Sequence, residues 1–130
     1  MKKPTNIHMS LGDAIDRISI LSRKIHFGED AAIKEFEYLT SAITKLGVPL
    51  TGSILASIIR ITQSNVDIWN LENEMRRGDK EFLDKMGYEE IGKRAIAIRD
   101  LNKKRIEYKN EINRITEMGF REFKIKHRSQ

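Results

Sequence analysis

The feature that most constrains the fold is the stretch 54–78, ILASIIRITQSNVDIWNLENEMRRG. In it Ile58, Thr62, Asn65, Trp69, Glu72 and Arg76 recur at steps of three and four residues. That spacing puts them on one line of an α-helix. The first half is apolar almost all round (Ile54, Leu55, Ile58, Ile59, Ile61), which predicts a helix buried on several sides. The second half keeps the line but fills it with an indole, an amide, a carboxylate and a guanidinium. Burying a charge is costly unless it is paired and hydrogen-bonded, so these groups either satisfy one another or face a ligand.

Helical patterns flank this segment on both sides. Ser10 reads as an N-cap, with Asp13 placed to complete a capping-box-like pair. Leu11, Ala14, Ile15, Ile18, Leu21, Ser22 and Ile25 make the apolar face of a first helix that stops at Gly28, with Asp13, Asp16, Arg17 and Ser19 off that face. Asp30 is expected to cap a second helix, with Ile33, Phe36, Leu39, Ile43 and Leu46 inward and Gly47 at its end. Lys34, Glu35, Glu37 and Lys45 form its solvent face. Val48-Pro49-Leu50-Thr51-Gly52 turns the chain into the central helix, capped by Thr51 or Ser53.

Arg77-Gly78-Asp79 ends the central helix, residues 80–86 add two short turns, and Gly87 breaks the chain again. A long helix is expected from about residue 89 to 117, with Ile91, Ala95, Ile98, Leu101, Tyr108, Ile112 and Ile115 as its core stripe. Beside that stripe runs a polar line of Asn102, Arg105, Lys109 and Asn113. Four main helices with short connections predict an all-α, up-and-down helical bundle in one domain spanning 1–130. The bundle occupies 10–119, after a short arm at 1–9. Residues 120–130 are a short basic tail, in which Phe123-Lys124-Ile125-Lys126 alternates and so either pairs as an edge strand or stays a tail.

Composition narrows the chemistry. With no cysteine there is no disulfide framework and no thiol nucleophile. No apolar run approaches the ~20 residues of a membrane helix. The opening Met1-Lys2-Lys3-Pro4-Thr5-Asn6 lacks the apolar stretch of a signal peptide, so a cytoplasmic location without membrane contact is expected. The net charge of +5 favours anionic partners. Within 120–130, Arg121, Lys124, Lys126 and Arg128 against Glu122 leave the bundle itself nearly balanced, so a strong polyanion surface is not indicated. No nucleophile–His–acid arrangement or Gly-rich phosphate loop is readable. His8, His26 and His127 lack metal-ligand spacing, and Glu35, Glu37, Glu72 and Asp16 imitate a magnesium-binding carboxylate cluster only loosely. The chain reads as non-catalytic, with no cofactor and no metal.

Three blocks also resemble a family of small helical proteins of bacteria and phages that has no assigned activity. They are Ser10-Leu11-Gly12-Asp13 running on through Asp16-Arg17-Ile18-Ser19-Ile20-Leu21, Trp69-Asn70-Leu71-Glu72 with Arg76, and Leu101-Asn102 with Arg105, Lys109 and Asn113. That family often has an acid after the Glu, where this chain has Asn73. The resemblance implies a shared helical fold in which the polar lines are a common feature, and it brings no reaction with it.

From the residues, Arg76, Arg105 and Lys109 suit phosphate or carboxylate oxygens. Asn102 and Asn113 offer donors and acceptors, Trp69 a stacking face, and Asp16 and Glu72 acceptors. The expected ligand site is therefore Asp16, Trp69, Glu72, Arg76, Asn102, Arg105, Lys109 and Asn113, converging between the first, central and long helices. Three functions follow. One is binding, or sequestration, of a phosphate-bearing small molecule such as a nucleotide or nucleotide-derived signal. The second is a structural or oligomerisation module with a buried polar network, the run ILASIIRI at 54–61 favouring a dimer or larger homo-oligomer. The third is weak nucleic-acid binding through the basic C-terminus.

Overall fold

The computed structural model describes the backbone of residues 5–76, 80–117 and 123–127, and the side chains of 9–75, 84, 85 and 87–117. The order is β1 (Thr5–Met9), α1 (Leu11–His26), a 3₁₀ turn (Asp30–Ala32), α2 (Ile33–Leu46), α3 (Gly52–Arg76), α4 (Lys80–Thr116) and β2 (Phe123–His127). The body is an all-α, up-and-down bundle of four main helices, as the periodicity predicts. The arm and the tail pair with each other as a two-stranded antiparallel ribbon, Ile7 opposite Ile125, so the alternating segment at 123–126 is a strand. The expected break at 77–79 lies outside the described residues.

Local signals set the helix ends. Ser10 caps α1, its Oγ accepting the Asp13 N–H at 3.2 Å. Thr51, not Ser53, caps α3 by accepting the Ile54 N–H at 3.3 Å. Gly47 closes α2 in the left-handed conformation. Asp30 does not cap α2, because the 3₁₀ turn intervenes and α2 starts from Ala32 without a side-chain cap. Within α4, Gly87 takes φ 76° and ψ 156°, a conformation open almost only to glycine, and there the long helix is interrupted.

α1 touches all three other helices and has two packed faces. Ala14 and Leu21 meet Ala32 and Leu39, with Met9, Ile18, Ile25, Phe36 and Ile43 around them. Leu11 and Ile15 meet Ile61 of α3 and Ile112 of α4, flanked by Val48, Ile58 and Tyr108. α3 lies chiefly along α4, while α2 and α3 flank α1 with little contact between them. The gap between α2 and α3 is an apolar groove of about 330 Å³, lined among others by Ile18, Phe36, Ile43, Leu50, Ile54 and Ile58.

Several inward assignments shift. Ser22, Leu46 and Ala95 are exposed. The buried stripe of α3 is Ile54, Ser57, Ile61, Ser64 and Ile68 together with Asn65. Thr62 is exposed, and Ile58, Trp69 and Glu72 are only half-buried. The line expected at the centre of the interface therefore runs along its edge.

Candidate functional site

Asp16 lies in the second turn of α1, where α3 and α4 both approach, and it is only 6% exposed. A carboxylate there needs strong partners. Asn65 of α3 donates its Nδ2 to Asp16 Oδ1 at 2.9 Å. Arg105 of α4 places Nε at 3.1 Å from the same oxygen. One turn further along α4, Lys109 Nζ sits 3.0 Å from Asp13 and 3.9 Å from Asp16. The steps of three on α1 (Asp13, Asp16) and four on α4 (Arg105, Lys109) bring the two charged pairs into register. Two carboxylates face two cations, so this cluster is internally neutral.

Neutral groups extend it. Asn65 Nδ2 also donates to Ser19 Oγ at 2.6 Å, and Ser19 in turn donates to the Asp16 carbonyl at 2.9 Å. Arg105 donates to Asn102 Oδ1 at 3.3 Å. Asn113 Oδ1 accepts the Gly12 N–H at 2.8 Å, satisfying one of the orphan donors in the first turn of α1. Gly12 is what permits this approach: a Cβ there would lie 2.5 Å from the Lys109 carbonyl oxygen. Asp13, expected to close a capping box, turns its carboxylate to Lys109 instead.

The expected site residues thus divide into two groups. Asp16, Asn102, Arg105, Lys109 and Asn113 join the seam between α1, α3 and α4. Trp69 and Glu72 line an adjoining cleft of about 190 Å³, whose wall also includes Asn65, Asn102 and Arg105. The Arg76 side chain lies outside the described residues, as do the side chains of the basic segment on which nucleic-acid binding was expected to rest.

Sequence reasoning missed three participants in this region. Ser19 links Asp16 to Asn65. Arg23 lines the cleft, with its guanidinium carbon 5.7 Å from the centre of the Trp69 ring and 5.0 Å from that of Phe27. Phe27, at the C-cap of α1, lies nearly parallel to Trp69, with centroids 6.3 Å apart. The signal was available: Asp16, Ser19, Arg23 and Phe27 follow one another at steps of three and four. On another face of α1, Glu35 is not free solvent surface, because Arg17 grips it with two bonds of 2.8 and 3.0 Å. That hydrogen bonding holds the Arg17 pKa above its ordinary value, against the opposing effect of burial.

Comparison with protein-family models, with curated proteins and with solved structures finds no match. Among the described residues, no three His, Asp or Glu side chains gather closely enough to hold a metal ion, and no helix is long and apolar enough to cross a membrane. The geometry of the seam and the cleft carries the functional reading.

Proposed function

We propose that the chain is a non-catalytic helical interaction module that associates with a second copy of itself through the outer face of α3. The observation that carries this reading is the continuity of one apolar surface. From the groove wall at Ile54 and Ile58 it passes over the lip of α3 to Leu55 and Ile59, the latter 66% exposed, and it is joined by Leu50, 69% exposed. Groove and protruding side chains adjoin on the same helix. A two-fold axis beside α3 would let each copy supply the ridge that fills the other's groove, as an isologous interface requires. The neutral network at Asp16 supports the same reading, since it fixes α1, α3 and α4 to one another and so holds the α3 face rigid.

Sedimentation velocity at micromolar concentration tests this. The wild-type chain should sediment as a dimer and Ile59→Lys as a monomer. A monomeric wild type overturns the reading.

A second reading is favoured by the cleft beside the network: a phosphate-bearing small molecule, such as a nucleotide or nucleotide-derived signal, held there and sequestered. Its support is the meeting of an indole, two amides and the guanidinium of Arg23, a combination that the packing of α1 on α3 does not itself require. A rise in melting temperature with added nucleotide tests it, because a ligand of the folded state raises apparent stability.

A further inference from the structure

The cations of the region are unequally engaged. Arg105 and Lys109 are neutralised by Asp16 and Asp13. Arg23 makes no ion pair with a described residue; its Nη2 donates to Asn70 Oδ1 at 3.3 Å. Its Nε is buried and has no hydrogen-bond partner among the described residues. The faces of Trp69 and Phe27 steady the guanidinium by cation–π attraction but bring no counter-charge. A buried donor without an acceptor is costly, and the guanidinium carries a charge that an arriving anion would balance.

The rest of the cleft describes the ligand's other half. The Trp69 indole lines it, as do Asn65 and Asn102, whose Oδ1 and Nδ2 respectively are not the atoms engaged in the network. At about 190 Å³ the space falls below the ~300–1,000 Å³ of pockets that enclose a drug-sized molecule, so it suits one ring system and not a dinucleotide.

We propose that this cleft binds a planar aromatic or nucleobase ring carrying a single phosphate, the ring against Trp69 and the phosphate on Arg23. The inference rests on the ligand reading above and specifies it. The anchoring cation is Arg23, outside the Asp16 network, while Asn65 and Asn102 belong both to that network and to the cleft wall.

Trp69 is the only tryptophan in the chain, so its fluorescence reports on this cleft alone. Phenyl phosphate and adenosine 5′-monophosphate should each change it saturably, whereas adenosine or inorganic phosphate alone should bind about tenfold more weakly, a loss of ~1.4 kcal/mol. Arg23→Gln should weaken both ring phosphates by about the same factor. Asn70→Ala, which removes only the partner of Arg23, should bind normally and shows whether Arg23 needs that bond to act. Failure of Asn70→Ala to bind would overturn the independence of the phosphate from Asn70, and with it the assignment of Arg23 as a free hook. If the ring phosphates raise the melting temperature but leave Trp69 emission and the Arg23→Gln affinity unchanged, the site proposed here is overturned and the ligand reading stands. If neither fluorescence nor melting temperature responds at millimolar concentration, both fall.

Discussion

Replacing Gly12 by alanine sets helix propensity against packing. In an exposed helix interior, Gly→Ala stabilises by ~0.8–1 kcal/mol, because glycine loses more backbone freedom on folding. Gly12 is buried in the first turn of α1, and a Cβ built there falls 2.5 Å from the Lys109 carbonyl oxygen and 3.0 Å from Asn113 Oδ1. The first of these is main chain inside α4 and cannot swing aside, so α1 and α4 must separate by most of an ångström. Overpacking of this kind costs ~1–3 kcal/mol. The separation also stretches the Gly12–Asn113 hydrogen bond, 2.8 Å in the native packing, which adds ~1 kcal/mol. After subtracting the propensity gain, Gly12→Ala should destabilise by about 1–3 kcal/mol. Gly92 supplies the matched control: it lies in α4, is exposed, and has nothing within 4 Å of a built Cβ, so Gly92→Ala should stabilise by up to ~1 kcal/mol. Urea denaturation of the two variants beside wild type decides the matter. Equal stabilisation of both would refute the close approach of α1 and α4.

Asp16→Ala removes the acceptor shared by Asn65 and Arg105 and should cost about 2–4 kcal/mol in urea denaturation, less than a fully buried pair because Arg105 is partly exposed. A loss under ~1 kcal/mol, the scale of a surface pair, would show that the carboxylate is solvated. Leu39→Ala opens a cavity between α1 and α2 and should cost ~2–5 kcal/mol, read the same way; a negligible loss would contradict the packing of α2 on α1. On exposed α4, hydrogen bonding from Arg114 lowers the Glu111 pKa. Its folded value thus lies below its unfolded one, so the pair's small contribution is present above the unfolded value and disappears as pH falls through the folded one. An NMR titration of Glu111 should give a midpoint below that of an ordinary glutamate, and an ordinary midpoint would contradict the pairing.

The fold was legible because it rests on local signals. The caps at Ser10 and Thr51, the glycines at 28, 47 and 87, and the steps of three and four all act within a few residues of themselves. The polar seam was legible in part for the same reason: Asp16, Arg105 and Lys109 stand at helical spacing on their own elements. Periodicity gives the face of a helix only to within about one residue's rotation, and here that margin mattered. The line through Ile58, Thr62, Asn65, Trp69 and Glu72 borders the buried stripe, so Asn65 enters the network while Trp69 and Glu72 open onto a cleft. Beyond the convergence of Asp16, Arg105 and Lys109, partners contributed by a different helix were not legible. Nothing local to Glu35 marks it as the partner of Arg17, and nothing local to Gly12 marks it as the place where α4 passes. The dissolution of ILASIIRI into a buried edge and an exposed edge also depends on α2 standing away from α3, which is a property of the assembled bundle.

Whether the seam is a closed network or a site awaiting an anion is decided most directly by the stability of Arg105→Ala. In a closed network the change leaves Asp16, 6% exposed, with only Asn65 at 2.9 Å and Lys109 at 3.9 Å. Removing one partner from a buried pair costs ~3–5 kcal/mol, and the two remaining contacts reduce this to about 2–3 kcal/mol. A loss of that size in urea denaturation is the predicted result. An unchanged or increased stability, as expected where cations crowd around a missing anion, would contradict it.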